Sequence, residues 1–238
     1  MHLVPPIGLL RQKAPPVPPI SAPVHIASSS TANSSSGDPT LTITKPTGTV
    51  DGDIMVAFVM GNGTNISTPP SGWTLLFSNS TSLDGTTTYF YCYTKVASSE
   101  PASYDWSMSG GAFTELGSIS TYRPIHAAQP EDISGGQLSA NFNLHTATNI
   151  TTVHVETLVL VAYFLNRGGG STSAVLTPPS GMTNRVDQNG SSVGRFDLQL
   201  VAYDEVQSAA GLYTGKQLTS NANTWSAGIT VGIRALGT

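Results

Sequence analysis

The pentapeptide Thr68-Pro69-Pro70-Ser71-Gly72 returns unchanged as Thr177-Pro178-Pro179-Ser180-Gly181. Its flanks return with it. The apolar run Ile54–Met60, preceded by Asp53, is answered by Leu158–Leu165, just after Glu156. Tyr93-Thr94-Lys95-Val96 is answered by Tyr203-Asp204-Glu205-Val206, and Ile119–Arg123 by Ile229–Arg234. The prolines lie 109 residues apart and the tyrosines 110. A nearly constant offset across most of each half marks an internal duplication. The fold must therefore be one that two like blocks can build.

Each block reads as strands. Leu41-Thr42-Ile43-Thr44 alternates with period two, as a half-buried strand does. The runs at 54–60 and 158–165 are continuous and apolar, which fits central strands covered on both faces. Asp84-Gly85 and Gly168-Gly169-Gly170 punctuate the pattern as turns or loop tips. No stretch keeps a 3.6-residue apolar period. The expectation is an all-β chain: a two-sheet antiparallel β-sandwich, jelly-roll-like, with an internal pseudo-repeat. Its half-repeats cover about 37–125 and 126–238, and they interleave into one body; two tandem small sandwiches are the alternative.

Residues 1–36 read differently. Prolines 5, 6, 15, 16, 18 and 19 fix φ and remove donors, so this segment is expected to be extended. Its apolar residues, among them Leu3, Val4, Ile7, Leu9, Leu10, Val17 and Ile20, are too many for a solvated linker. They are the candidate contacts to neighbouring subunits. Residues 27–37, rich in Ser, Thr and Asn, read as a tether between this arm and the sandwich, which begins at about residue 37.

Composition then narrows function. Of 238 residues only 10% are charged, against a usual share of about 25%, and the net charge is −4. Without clustered Lys and Arg there is no footprint for nucleic acid. No apolar run is long enough for a membrane-spanning helix, and prolines interrupt any signal-peptide core. Cys92 is the sole cysteine, so the fold rests on its core.

The candidate chemistry is sparse. Asp51 and Asp53 flank a turn, where they are expected to accept backbone N–H bonds in place of binding calcium. The five histidines lack metal-ligand spacing, and no metal or cofactor is implied. His154 reads as an outward-facing strand residue. No Gly-x-Ser-x-Gly elbow is present, and Glu100, Asp105 and Glu115 are candidates for an acid pair, though among 14 acidic residues some proximity arises anyway. An enzyme is not expected. Tyr89, Tyr91 and Tyr93 should share one face of a strand, with Phe90 and Cys92 on the other. Such a row suits a sugar platform, a subunit interface or the core. Trp73, Trp106 and Trp225 are expected in the core.

Taken together, Gly52–Ala57, Pro69-Pro70-Ser71-Gly72-Trp73-Thr74-Leu75-Leu76, Tyr93–Ala97, Glu100-Pro101-Ala102-Ser103-Tyr104-Asp105-Trp106 and Ile119–Arg123 resemble a β-sandwich module of tailed-bacteriophage virion proteins, which is also found in some bacterial secreted proteins. The likeness spans about 37–236. It implies a non-catalytic virion component, a head decoration or a tail or neck adornment, made in the host cytoplasm. The implied partners are capsid or tail subunits, with host-surface glycans as a further candidate; a homo-oligomer is expected, a trimer being one form, and the sequence leaves its order open. A secreted carbohydrate-binding module is the alternative.

Overall fold

The computed structural model describes residues 19–33, 40–83, 86–126, 128–166, 175–191 and 197–238. Among them there is no helix. The first half contributes β1 (Val24–Asn33), β2 (Thr40–Thr44), β3 (Ile54–Thr68), β4 (Thr74–Leu83), β5 (Thr86–Val96) and β6 (Ser103–Arg123). The second contributes β7 (Glu131–Thr146), β8 (Ile150–Thr152), β9 (Thr157–Asn166), β10 (Leu176–Thr177), β11 (Thr183–Ser191), β12 (Asp197–Gln207), β13 (Gly211–Tyr213) and β14 (Gln217–Ile233).

One antiparallel sheet runs β1-β6-β3-β5-β4, with β2 added beside β6. The other runs β10-β14-β9-β12-β11, with β7 added beside β14. The central orders β6-β3-β5-β4 and β14-β9-β12-β11 are the same order written twice. The duplication is therefore structural. The two sheets pack face to face as a β-sandwich, but the halves do not interleave: each builds one entire sheet. Residues 27–33, expected as a tether, form most of β1, paired along β6 from Val24↔Arg123 to Asn33↔Glu115. Serine and threonine suit an edge strand with one wet face as well as they suit a linker, which is why composition misled.

Register refines the repeat. Ile54 sits between Val96 and Tyr122, and Leu158 between Val206 and Ile233. Asp53 therefore corresponds to Thr157. Glu156, with φ 54°, takes the place of Gly52, with φ 91°. The matched prolines lead into Gly72 and Gly181, at φ 82° and 83°, a backbone state glycine adopts without steric cost.

Strand alternation sorts the interior into three layers. Ile54, Val56, Phe58 and Met60 of β3 meet Leu158, Leu160, Ala162 and Phe164 of β9 in the core between the sheets. Phe164 lies edge-on to Phe58 and tilted against Phe90, with centroids 6.1 and 5.5 Å away. The intervening residues point outward and are buried too. Met55, Ala57 and Val59 lie beneath Leu41, Ile43, Trp73, Tyr104 and Trp106. Val159, Val161 and Tyr163 lie with Ala147, Ile150, Tyr213 and Leu218. The double cover explains why both central strands are unbroken apolar runs. In the first half it is made by β2, Trp73 and the far ends of β3 and β6, whose pairing shifts register between Asn62 and Thr64 and between Ile66 and Thr68. Gly61 is needed at that corner, since a Cβ there would lie 2.4 Å from the Thr64 carbonyl oxygen.

The sandwich has two ends. Ser21 and Leu236 form an antiparallel bridge, with N–O distances of 3.1 and 3.2 Å. Beside it lie the strand ends Val24, Arg123, Ile54, Val96, Leu158 and Val206, which define a proximal pole. Asn33, Leu83, Asn166 and Ser191 lie at the distal pole. The sheet edges meet each other along two seams. At one, Ser30 Oγ of β1 donates to Gln188 Oε1 of β11 (2.8 Å). At the other, the Phe77 ring of β4 fills the space over Gly136 of β7, 2.5 Å from where a Cβ would stand. Each sheet thus covers an edge of the other.

Candidate functional site

The tyrosine row is arranged as alternation requires. Phe90 and Cys92 face the intersheet core, and Tyr91 and Tyr93 face the outer layer. Tyr93 is buried against the Trp106 ring, with centroids 4.9 Å apart, and burial pushes its hydroxyl pKa up to about 12. Tyr91 stacks on Tyr93 at 6.1 Å, and its hydroxyl accepts the Ile66 N–H (3.3 Å). Tyr89 and Tyr91 are half-buried. Only these two are reachable from solvent. Trp73 and Trp106 are core residues, whereas Trp225 is half-buried. Of the arm residues, Leu3, Val4, Ile7, Leu9, Leu10 and Val17 lie outside the described residues; Ile20 is 49% exposed at the proximal pole.

The carboxylates serve the turns. Asp51 Oδ1 accepts Ser99 N–H (2.7 Å), and Asp53 Oδ2 accepts Val50 N–H (2.9 Å) and Arg123 Nη2 (2.7 Å). Glu100 pairs with Lys95 (2.8 Å) and accepts the Tyr104 hydroxyl (2.9 Å). Asp105 accepts Thr42 Oγ1 (2.7 Å), and Glu115 is buried near Thr64 and Asn33. The three acids are thus engaged in three separate places. His154 is not on a strand: it sits in the β8–β9 turn, with Nδ1 2.6 Å from Asp132 Oδ1. Asp132 also accepts Val153 N–H and Thr157 Oγ1, so it organises that turn as Asp53 organises its counterpart. Among the described residues no group of three or more His, Cys, Asp or Glu side chains is placed to hold a metal.

His145 is fully buried, with Nδ1 2.8 Å from Ser226 Oγ and Nε2 3.0 Å from Ser220 Oγ. Burial lowers its pKa to about 4. The Ser–His spacing resembles an activated nucleophile, but the ring is held by Ser226, Ser220 and Thr224, with no carboxylate among these partners, and neither group meets solvent. It is a satisfied core histidine.

The most distinctive cluster lies at the proximal end of the β1–β11 seam. Asp204, almost wholly buried, accepts Arg185 Nε (2.8 Å). The buried Tyr122 hydroxyl faces Asp204 and Ser120, and burial with the nearby carboxylate raises its pKa. Ser120 joins Ser28 (2.8 Å), and Ser28 joins His25 Nε2 (2.8 Å). The His25 ring lies edge-on to Tyr122 at 5.5 Å; burial and Arg185 lower its pKa. A cleft of about 440 Å³ opens here, walled by Pro23, Val24, Leu158 and Val206, with Arg185 and Glu205 at its polar side. Sequence reasoning missed this cluster because its members come from β1, β6, β11 and β12, with no local motif. The only signal was Tyr203-Asp204-Glu205 standing where the first half has Tyr93-Thr94-Lys95.

No protein-family model, curated protein or solved structure matches this chain.

Proposed function

We propose that this chain is a non-enzymatic structural protein of a tailed-phage virion, held by its N-terminal segment and displaying its sandwich outward. The observation that carries the reading is the polarity of the body. The chain enters at the proximal pole through the Ser21–Leu236 bridge. Ile20, Val24, Val96, Val153, Val206 and Leu236 are exposed at that same pole. Apolar residues gathered at one end, beside the segment that leads away, suit docking on a larger assembly. The strand ends of the distal pole point the other way. The rest of the surface is weakly charged and polar, and Asp51, Asp53, Glu100, Asp132, Asp204 and Glu205 are engaged in turns and ion pairs, which supports a structural role. The partners in this reading are other virion subunits, and the location is the particle.

The test is removal of residues 1–18, which leaves β1 intact. The shortened protein should fold with the same Tm yet fail to enter particles; incorporation at the level of the full chain would sink the anchoring. A second reading, a carbohydrate-binding module, rests on the half-exposed Tyr89 and Tyr91. It requires glycan-array binding that disappears in Tyr91→Ala.

A further inference from the structure

The two seams are topologically equivalent, so each shows what the other would hold if the fold alone dictated it. Register places Asp204 where the first half has Thr94, and Tyr122 where the second has Ile233. Arg185 sits in the bulge between Asn184 and Val186, and Leu76 in the matching bulge between Leu75 and Phe77. Leu76 packs on the core. The fold therefore accepts Leu, Thr and Ile at places where the β1–β11 seam holds Arg, Asp and Tyr. A nearly buried carboxylate costs free energy unless it is paired, so the fold does not call for this charged network.

The cleft also holds unspent hydrogen-bonding capacity. Arg185 spends Nε on Asp204, and its two terminal nitrogens make no hydrogen bond among the described residues. Glu205 Oε1 receives both Lys216 (2.8 Å) and the Tyr213 hydroxyl (2.6 Å), leaving Oε2 toward Gly181. Val24 and Val206 are 55% and 43% exposed on the opposite wall. The opening thus presents donors, an apolar wall and one acceptor at its rim. Because Asp204 and Glu205 stand beside Arg185, an anionic ligand would be repelled. A segment with many carbonyl acceptors, few N–H donors, apolar side chains and a cation fits.

Residues 1–18 have that chemistry. Five are proline, which supplies a carbonyl and no N–H; Leu3, Val4, Ile7, Leu9 and Leu10 are apolar, Arg11 and Lys13 are cationic, and there is no acid. We infer that the β1–β11 cleft receives the proline-rich segment 1–18 of a second copy of this chain, its carbonyls on Arg185 and its Arg11 or Lys13 on Glu205. Recognition of extended proline-rich chain by a preformed groove is a known economy of binding, since little order is lost. The segment's own body is the wrong receptor. Pro23 and Val24, only a few residues beyond the segment, themselves form the lip of the cleft. Such a contact joins two different surfaces, so two copies can exchange arms reciprocally or several can link head to tail. The inference rests on reading residues 1–18 as an anchoring arm, and names a surface it grips.

The full chain should associate with rising concentration in sedimentation velocity. Val206→Glu, a change at an exposed wall position that leaves the core untouched, should weaken that association at least tenfold. A synthetic peptide of residues 1–18 should compete it away. With heavy and light isotopic chains mixed and an amine cross-linker added, Lys13–Lys216 links should join heavy to light. A monomer at every concentration overturns the inference, as does association insensitive to both Val206→Glu and the peptide, or Lys13–Lys216 links within single chains only. Particle incorporation is scored separately: Val206→Glu chains that no longer associate yet still enter particles leave the anchoring reading intact, while association by arm exchange in chains that never enter particles defeats the anchoring alone.

Discussion

At the β4–β7 seam Phe77 covers Gly136 and Leu76 joins the core, so among the described residues these two sheet edges meet through apolar contact. At the β1–β11 seam the same two kinds of edge meet through Ser30 and Gln188, with Arg185, Asp204, Tyr122 and His25 at the proximal end and an open cleft beside them. The strands, order and register are shared; the chemistry is not. A duplicated fold thereby supplies its own control. Whatever both seams share belongs to holding the sandwich together, and whatever only one has is available for another task.

The comparison assumes that the halves form one cooperative body, and the largest effect tests that assumption. Phe164→Ala empties the centre of the shared core and should cost about 3–5 kcal/mol. Because Phe58 and Phe90 of the other sheet touch the same ring, the loss should appear as a lower midpoint in one unfolding transition. Two separate transitions, only one of them shifted, would divide the body into independent halves.

The next effect addresses the charged seam directly. Arg185→Ala leaves the buried Asp204 carboxylate without its partner and should destabilise by about 3 kcal/mol. Arg185→Leu combined with Asp204→Thr copies the residues of the other seam and should return to within about 1 kcal/mol of the original in urea unfolding. If the double change is as damaging as the single, the seams are not equivalent and the network is structural.

The outer layers differ in the same spirit. Beneath β2 the first half buries Leu41 and Ile43, whereas the strand added beside β14 carries His145. Since burial lowers the His145 pKa to about 4, the unfolded chain takes up this proton first as pH falls below about 6.5. Stability tied to the neutral imidazole is complete above that value and declines as pH falls toward about 4, by up to about 3 kcal/mol. His145→Gln should flatten the melting temperature across that window; an unchanged slope would assign the acid sensitivity elsewhere.

How much of this was legible beforehand depends on how local each signal is. The runs at 54–60 and 158–165 announce doubly covered strands because every neighbour in sequence is buried. The Pro-Pro-Ser-Gly repeat announces two like halves. What could not be read was how the halves join, since strand periodicity is the same whether two blocks interleave or each forms a sheet. β1 was hidden by its serines, whose outward face is wet. Tyr93 was visible as one of a row, but the lid of Trp73, Tyr104 and Trp106 that buries it arrives from elsewhere in sequence. The Arg185–Asp204 cluster has members on four strands from both halves, and only three-dimensional register reveals that Arg185, Asp204 and Tyr122 stand where the other half has Leu76, Thr94 and Ile233.

The smallest effect sharpens the comparison at its most symmetric point. Beside each Pro-Pro-Ser-Gly turn a lysine donates to the serine carbonyl, Lys95 to Ser71 (3.2 Å) and Lys216 to Ser180 (3.3 Å), and each lies 5.7 Å from a tyrosine ring centroid. The charges have changed places, however: Lys95 of β5 corresponds in register to Glu205 of β12, and their partners Glu100 and Lys216 lie in the loops that follow β5 and precede β14. The partners also differ in exposure, with side chains 18% and 2% exposed for Lys95–Glu100 against 29% and 20% for Lys216–Glu205. Burial opposes ionisation of Glu100, yet Lys95, the Ser98 N–H and the Tyr104 hydroxyl outweigh it and hold its carboxyl below the usual range. Double-mutant cycles should therefore give about 1 kcal/mol for the first pair and about 0.5 kcal/mol or less for the second. Added salt should erode the second more, because only exposed charges are screened effectively. Equal couplings with equal salt dependence would mean that the swap preserved the interaction in full, and that these two turns, unlike the seams, have not diverged in energy at all.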